Sequence, residues 1–390
     1  MIHQAVGGTD QDLVIFTGSG ATAAVAKLAG LLELGTWAAT PGPRPLVLVG
    51  PFEHHCNLLP WRESAADVVA IGEDANGQLD LADLEAQLTR HAGRPLVIGS
   101  FSAASNVTGI LTDADRVAAL LHRHGALSVW DYSAAAPYVP IRVAESRPGA
   151  RDHKDAVVFS PHKLIGGPQT PGVLVVRRDL VRNRVPTVPG GGTVAYVGPD
   201  GHRYLDDPVA REEGGTPAIV ESIRAGLVFQ LKQAVGTDLI HEREQRFLRR
   251  ALDRWRANPN LELLGNLDVP RLPIVSFRIR HGDHLLHHEL VVALLNDLFG
   301  IQARAAARAP GPYGHRLLGD YAFDPRTGQW RHHRAPAGYL EAARELLAAG
   351  PTAVAAAAAG AGSGTGDGGP SWLPPELERL RDFSLPPLPA

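Results

Sequence analysis

The 390-residue sequence is poor in cysteine, in long apolar runs and in excess charge. A single cysteine, Cys56, excludes internal disulfides and any metal site built from several thiolates. No apolar stretch approaches the ~18 residues that span a bilayer, and no basic-then-apolar leader opens the chain. A cytoplasmic protein with no membrane partner is therefore expected. The formal net charge of −3 offers nothing to attract polyanions, so nucleic acid is set aside as a partner. Internal repeats are also absent.

What is present points to an α/β protein. Apolar residues make up 44% of the chain, enough for a sizeable core. Short apolar runs read as buried strands: "DLVIF" from Asp12, "PLVLVG" to Gly50, "PLVIGS" to Ser100, "ALSVWD" to Asp131 and "DAVVFS" to Ser160. Helical patterns alternate with them, from Gly20 to Leu32, over Leu81–Arg90 and from Asp113 to His124. This alternation predicts a mostly parallel, helix-covered sheet, whose ligands lie at the carboxyl ends of its strands. Thr216-Pro217 reads as the start of a helix stopped by Gly236, and Thr237 starts another that ends before Pro259. "RLPIVSFRIR" reads as an alternating strand and "ELVVALLNDLFG" as a helix closed by Gly300, together a smaller α+β domain. The boundaries expected are a large domain over 1–215, connecting helices over 216–258, a small domain over 259–349 and a low-complexity, disordered tail over 350–390.

One stretch stands out. "FSPHKLIGGPQTPGVLVV" sets Lys163 in a tight turn and returns at once to an apolar strand. Such a lysine amine is suited to Schiff-base chemistry with a carbonyl, above all that of pyridoxal phosphate. That cofactor needs a carboxylate at its pyridine nitrogen, donors around its phosphate and a group against its ring. Asp131 at a strand end supplies a carboxylate. Gly18-Ser19-Gly20-Ala21-Thr22, between a strand and a helix, supplies backbone donors. Ser160 and His162 add donors, and His54 in "EHHCN" is placed to stack. Gly166-Gly167 would let the backbone pass close to the ligand. Each feature alone has a commonplace reading: a turn-forming aspartate, a close helix–sheet contact, solvated histidines and a solvated lysine.

Two other chemistries compete. Gly18-x-Gly20-x-x-Ala23 fits a dinucleotide fingerprint and a nicotinamide-dependent oxidoreductase, but that fingerprint asks for an acidic residue after the second strand, and none comes before Glu53. His281, His284, His287 and His288 cluster near a helix start. Without a carboxylate in a recognised pattern they read as solvated surface rather than a metal site.

Taken together, "FTGSGAT", "EHHCNLLPW", "SNVTG", "DYSAAAPY", "SPHK", "PGGGTV" and "REEGGTP" resemble, in order, the class V aminotransferases, a fold-type I group that includes cysteine desulfurases and selenocysteine lyases. The resemblance runs from Phe16 to Pro217 and continues more weakly to about Leu318. It implies pyridoxal phosphate as cofactor, an amino acid as substrate and a homodimer. Lys163 matches the lysine that binds the cofactor as a Schiff base, Asp131 the partner of the pyridine nitrogen, and His54 the stacked histidine. Ala21, Thr22, Ser160 and His162 match phosphate ligands, and Asn106 the asparagine near the phenolic oxygen. Thr216 matches a threonine reaching the neighbouring subunit's phosphate. Arg304 in "IQAR" resembles an arginine near the substrate carboxylate.

Departures from the pattern bear on activity. Desulfurases attack the substrate sulfur with a mobile-loop cysteine. Here the corresponding stretch, Ala305 to His315, reads "AAARAPGPYGH", with Ala307 and Ala309 at the positions of expected cysteines and Arg308 between them. Cys56 stands where relatives often have a small residue, and a small buried role is expected for it. Ala134 replaces a glutamine common in desulfurases. Relative to the family, the large domain is expected to be N-terminally shortened and the C-terminal strand region altered. The expected activity is transamination or β-elimination (lyase) chemistry without a persulfide step; the alternative is a non-catalytic, degenerate or fragmentary relative.

Overall fold

The structure is a computed structural model; it describes residues 1–281, 284–286, 288–305 and 311–318, together with the backbone of strands 321–324 and 329–332. The low-complexity tail over 350–390 lies outside the described residues.

The first half of the chain alternates as its apolar runs predict. In order come α1 (Ile2–Ala5), β1 (Asp12–Thr17), α2 (Gly20–Leu31), β2 (Leu46–Val49), α3 (Leu59–Arg62), β3 (Asp67–Ala70), α4 (Leu81–Arg90) and β4 (Val97–Ser102). Then follow α5 (Ala114–Arg123), β5 (Leu127–Asp131), β6 (Ala156–Phe159) and β7 (Gly172–Arg177). Capping aspartates start two of the helices: the Asp80 side chain accepts the Ala82 and Asp83 amides, and that of Asp113 accepts the Arg116 amide.

These strands form one seven-stranded sheet in the order β1-β7-β6-β5-β4-β2-β3. The five strands from β6 to β3 run parallel, whereas β7 is antiparallel to both β6 and β1. Side chains alternate between its faces. Val47, Val49, Ile98, Val129 and Val158 pack under α2, beside Ala24, Val25 and Leu28. On the other face Leu46, Leu48, Trp130, Val157 and Phe159 pack with Leu84, Leu121 and Phe229. Burying each such aliphatic side chain is worth about 1.5–3 kcal/mol, which is why this double-sided core fixes the register of the strands.

Beyond the sheet lie a hairpin of β8 (Val194–Gly198) and β9 (Gly201–Tyr204), then α6 (Pro208–Glu212), α7 (Ile219–Val235) and α8 (Thr237–Trp255). A small antiparallel sheet of β10 (Leu261–Leu263), β11 (Phe277–His281) and β12 (His284–Leu285) follows, with α9 (His288–Phe299) and α10 (Gly311–Leu318). A second hairpin pairs β13 (Tyr321–Asp324) with β14 (Gln329–His332). Two expectations are corrected here. Thr216-Pro217 does not open α7; the helix starts at Ile219 after Ala218. "RLPIVSFRIR" is strand only from Phe277, because Arg271 instead forms an isolated bridge to Ile110 and its buried guanidinium donates to the carbonyls of Asn266 and Ile274.

Candidate active site

The carboxyl ends of β4, β5 and β6 lie side by side in the sheet, and Asp131 and the Ser160–Lys163 turn stand there. Asp131 ends β5, opposite Ser102 of β4 and Val158 of β6. It is buried, and its acceptors are only lightly used. The Ser133 amide donates to Oδ1 at 2.7 Å and the Cys56 thiol to Oδ2 at 3.3 Å. A thiol is a weak donor, so the carboxylate retains unused acceptor capacity in a buried place.

His54 sits in the loop after β2. Its Nδ1 accepts the Cys56 amide and lies 3.1 Å from Cys56 Sγ. Burial, helped by the positive charge of Lys163, holds its imidazole below the usual histidine range. Arg304 adds to the same effect, so its exposed side chain lies within electrostatic reach of the site. Burial first, then the charge of Asp131, pushes the Cys56 thiol far up, so it is a neutral donor and not a nucleophile. Cys56 is the small buried residue expected, and it also touches the key carboxylate.

Ser160, Pro161, His162 and Lys163 form a tight 3-10 turn directly after β6. Lys163 and His162 are exposed, whereas Ser160 is buried. Ser160 Oγ accepts the Ala21 amide at 2.9 Å, at the start of α2. No side-chain cap closes that helix, and Thr22 is exposed in its first turn. Gly20 has φ +58, and a Cβ there would lie 2.8 Å from Ser160 Oγ and 2.9 Å from His162 Cε1. The two segments thus form a cradle too narrow for any side chain on Gly20. Gly167 has a different role from the one its sequence suggests. A Cβ on it would lie 2.0 Å from the Pro161 carbonyl, so this glycine closes the lysine turn itself.

A cleft of about 660 Å³ opens beside the cradle, lined by Thr17–Gly20, His162, Thr170, Glu212–Gly214 and Pro217. Thr216 is exposed within that last segment. The segment is tied down from both sides. Lys27 pairs with Glu212 at 3.1 Å, and Glu213 accepts the Phe16 amide at 2.7 Å. Asn106 is half-buried in the turn after β4, and Ala134 is half-buried against the core after β5.

Sequence reasoning missed the support beneath His54. Glu53 is fully buried and accepts from Asn57 Nδ2, the Ser102 amide and Ser102 Oγ at 2.5–2.9 Å. Burial pushes its carboxyl up to about 7, against the lowering effect of those hydrogen bonds. Asn57 Oδ1 in turn accepts from Trp61 and Ser100. This network locks the His54 loop to β4, the neighbour of the Asp131 strand. The signal was the polar cluster Glu53, Asn57, Ser100 and Ser102 in otherwise apolar surroundings. Against the same loop packs α10: Tyr313 meets Phe52 edge-on at 4.9 Å, and a Cβ on Gly311 would lie 2.6 Å from the Glu53 carbonyl. Ala307, Arg308 and Ala309, just before α10, lie outside the described residues. So do the side chains of His281, His284 and His287.

The dinucleotide reading does not survive the topology. The strand before the Gly18–Gly20 turn is β1, an edge strand antiparallel to its neighbour. A dinucleotide fingerprint belongs to a parallel strand with a parallel partner on each side.

A largely parallel, helix-covered seven-stranded sheet with a lysine turn and an aspartate at its strand ends has the fold-type I architecture. The chain belongs to the aminotransferase class-V family, whose profile matches residues 1–318. A probable cysteine desulfurase of Halobacterium salinarum is 29% identical over 320 residues, covering 80% of this chain and 71% of that protein. One from Halalkalibacterium halodurans is 27% identical over 315 residues, covering 80% and 72%. Among solved structures, the cysteine desulfurase CsdA (S-sulfonic acid) of Escherichia coli aligns with TM-score 0.67 at 24% identity, over 82% of this chain and 74% of that one. The apo cysteine desulfurase of Thermococcus onnurineus gives 0.66 at 23%, with the same coverage.

Proposed function

We propose that this protein is a pyridoxal-phosphate enzyme that acts on an amino acid by transamination or β-elimination, without a loop-cysteine persulfide step. The observation that carries the reading is the buried, under-used carboxylate of Asp131 beside the Ser160–Lys163 turn and the Gly20 cradle. The residues fit the cofactor. Lys163 would hold it covalently through its amine, and Asp131 would keep a proton on its pyridine nitrogen. Ala21, Thr22, Ser160 and His162 would bind its phosphate, His54 would lie against its ring, and Asn106 would approach its phenolic oxygen. When bound, the cofactor supplies an electron sink beside the α-carbon of the amino acid. Arg304 would orient the substrate carboxylate, and the freed Lys163 amine would move the α-proton. With no cysteine between Ala305 and His315, the chain carries no thiol there to take up sulfur.

The domain division at 215, 258 and 349 and a cytoplasmic location belong to the same reading. So does a homodimer in which Thr216 serves the partner's phosphate site. The ridge of Ile219, Ile223, Leu227, Leu231 and Val235 along α7, 44–57% exposed in the single chain, supports a subunit contact. Sedimentation should give a dimer, and Leu227→Glu should give a monomer; a wild-type monomer would remove the shared-site role of Thr216.

Visible absorption after incubation with pyridoxal phosphate tests the central claim. The protein should develop a band that Lys163→Ala lacks, and the substrate should change that band. A folded wild-type protein with no such band would leave the degenerate relative as the better reading.

A further inference from the structure

A second cluster of chemically capable side chains lies at the opposite edge of the sheet, where β5 and β6 begin. His122 lies in the last turn of α5, and His153 and Asp155 lie just before β6. His122 Nε2 is 2.8 Å from Asp155 Oδ2, and His153 Nε2 is 3.5 Å from Asp155 Oδ1. One ligand atom from each lies within 4.8 Å of the others. The two imidazoles stack with ring centroids 4.1 Å apart. Nothing in the proposed reaction uses these groups.

We propose that His122, His153 and Asp155 form a site for a divalent transition metal of the zinc class, distinct from the cofactor site. Zinc takes imidazole nitrogen and carboxylate oxygen at about 2.0–2.2 Å, so ligand atoms of a tetrahedral ion lie roughly 3.3 Å apart. The 2.8 and 3.5 Å contacts, to the two different carboxylate oxygens, lie near that spacing, and rotation of the stacked His153 ring, the more exposed of the two, would turn its nitrogen toward the ion.

The surroundings match those of a metal-binding histidine pair. A ligating imidazole normally gives its second nitrogen to a carbonyl or a carboxylate, which fixes ring and tautomer. His122 Nδ1 donates to the Arg151 carbonyl at 2.7 Å. His153 Nδ1 faces Glu145 Oε1 at 4.0 Å. Glu145 is itself held by the amides of Gly149 and Arg151. The Ser128 amide donates to Asp155 Oδ2 at 2.7 Å and fixes the carboxylate. With neutral imidazoles, Asp155 and Glu145 together balance the charge of a divalent ion. Access is asymmetric: His122 and Asp155 side chains are 9% and 7% exposed, whereas His153 is 25% exposed. On binding, two metal–nitrogen bonds and a metal–oxygen bond would form as waters leave the hydrated ion, one water would stay as fourth ligand, and the proton shared by His122 and Asp155 would leave to the buffer. The ion would clip the end of α5 and the 145–155 loop to the starts of β5 and β6.

The test uses the full chain, first treated with chelator. Zinc titration by calorimetry should show one equivalent bound at micromolar or better affinity, with a thermal midpoint raised by several degrees. Cobalt(II) in place of zinc should give visible d–d bands of a nitrogen–oxygen site. His153→Ala removes the most exposed of the three side chains, and it should weaken binding at least tenfold and abolish the bands while the apo protein stays folded. His288→Ala, on α9, should leave both unchanged. Because Lys163→Ala should bind zinc normally, failure of this site and failure of the cofactor reading are separable. Unchanged stoichiometry and affinity in His153→Ala would overturn the proposal. So would no binding at free zinc of tens of micromolar.

Discussion

Two buried aspartates stand near opposite ends of the same central strands. Asp155 precedes β6 and is surrounded: two imidazoles and an amide reach its carboxylate. Asp131 ends β5 and, among the described residues, receives only an amide and a thiol. Burial works against the charge of Asp155, but hydrogen bonds from His122, His153 and Ser128 outweigh it and hold the carboxyl well below the usual range. A carboxylate ringed by imidazoles and an amide is held in place by them. One left short of partners in a dry place is suited to receive another.

Three measurements sharpen or break that contrast. The largest effect is expected at the partnered end. In chelated protein, Asp155→Asn leaves the buried His122 imidazole without its counter-ion and should lower stability by about 3–5 kcal/mol in urea unfolding, with little change in cofactor affinity relative to folded protein. The reverse pattern is expected for Asp131→Asn. Its turnover should fall about a hundredfold, roughly 2.7 kcal/mol of barrier, while stability shifts by only about 1 kcal/mol. Equal losses of stability in the two variants would erase the distinction. The smallest effect is a pH dependence. Burial alone would lower the His122 imidazole, but its bonds to Asp155 and the Arg151 carbonyl outweigh burial and raise it. A raised histidine stabilises fully below its unfolded value of 6.5, and that contribution is lost as pH rises through the folded value. Asp155, being depressed, contributes above 3.8 and loses its contribution as pH falls through its folded value. Chelated protein should therefore lose stability on both sides of a window from about 4 to 6.5, and His122→Gln should flatten the alkaline side.

Much of this was legible locally. β5 ends at Asp131, α4 spans Leu81–Arg90 as its periodicity predicts, and the lysine turn follows β6 directly. Apolar runs and caps are short-range signals, and they suffice where the core accepts any well-placed aliphatic residue. Strand direction is not a local property. "PGVLVV" reads as a buried strand, but nothing in it says that β7 runs against β6 and β1. The Glu53 network was hidden for a similar reason, since its partners Asn57 and Ser102 come together only once β2 and β4 pair. Pro217 favoured an early start to α7, yet the helix begins two residues later, beyond the cleft-lining Glu212–Gly214 and Pro217.

The antiparallel pairing of β1 with β7 also bears on the making of the protein. Asp12 pairs with Arg177, so the first strand waits for a partner 165 residues away (177 − 12). At about 5–20 residues per second of synthesis, that interval is roughly 10–30 s, during which "DLVIF" has no β7 to pair with. The cradle at Gly20 depends on the same delay, because Ser160 and Gly172, which close around it, emerge late. A nascent chain stalled before residue 177 would carry an unpaired apolar strand, a natural target for chaperones and a seed for aggregation.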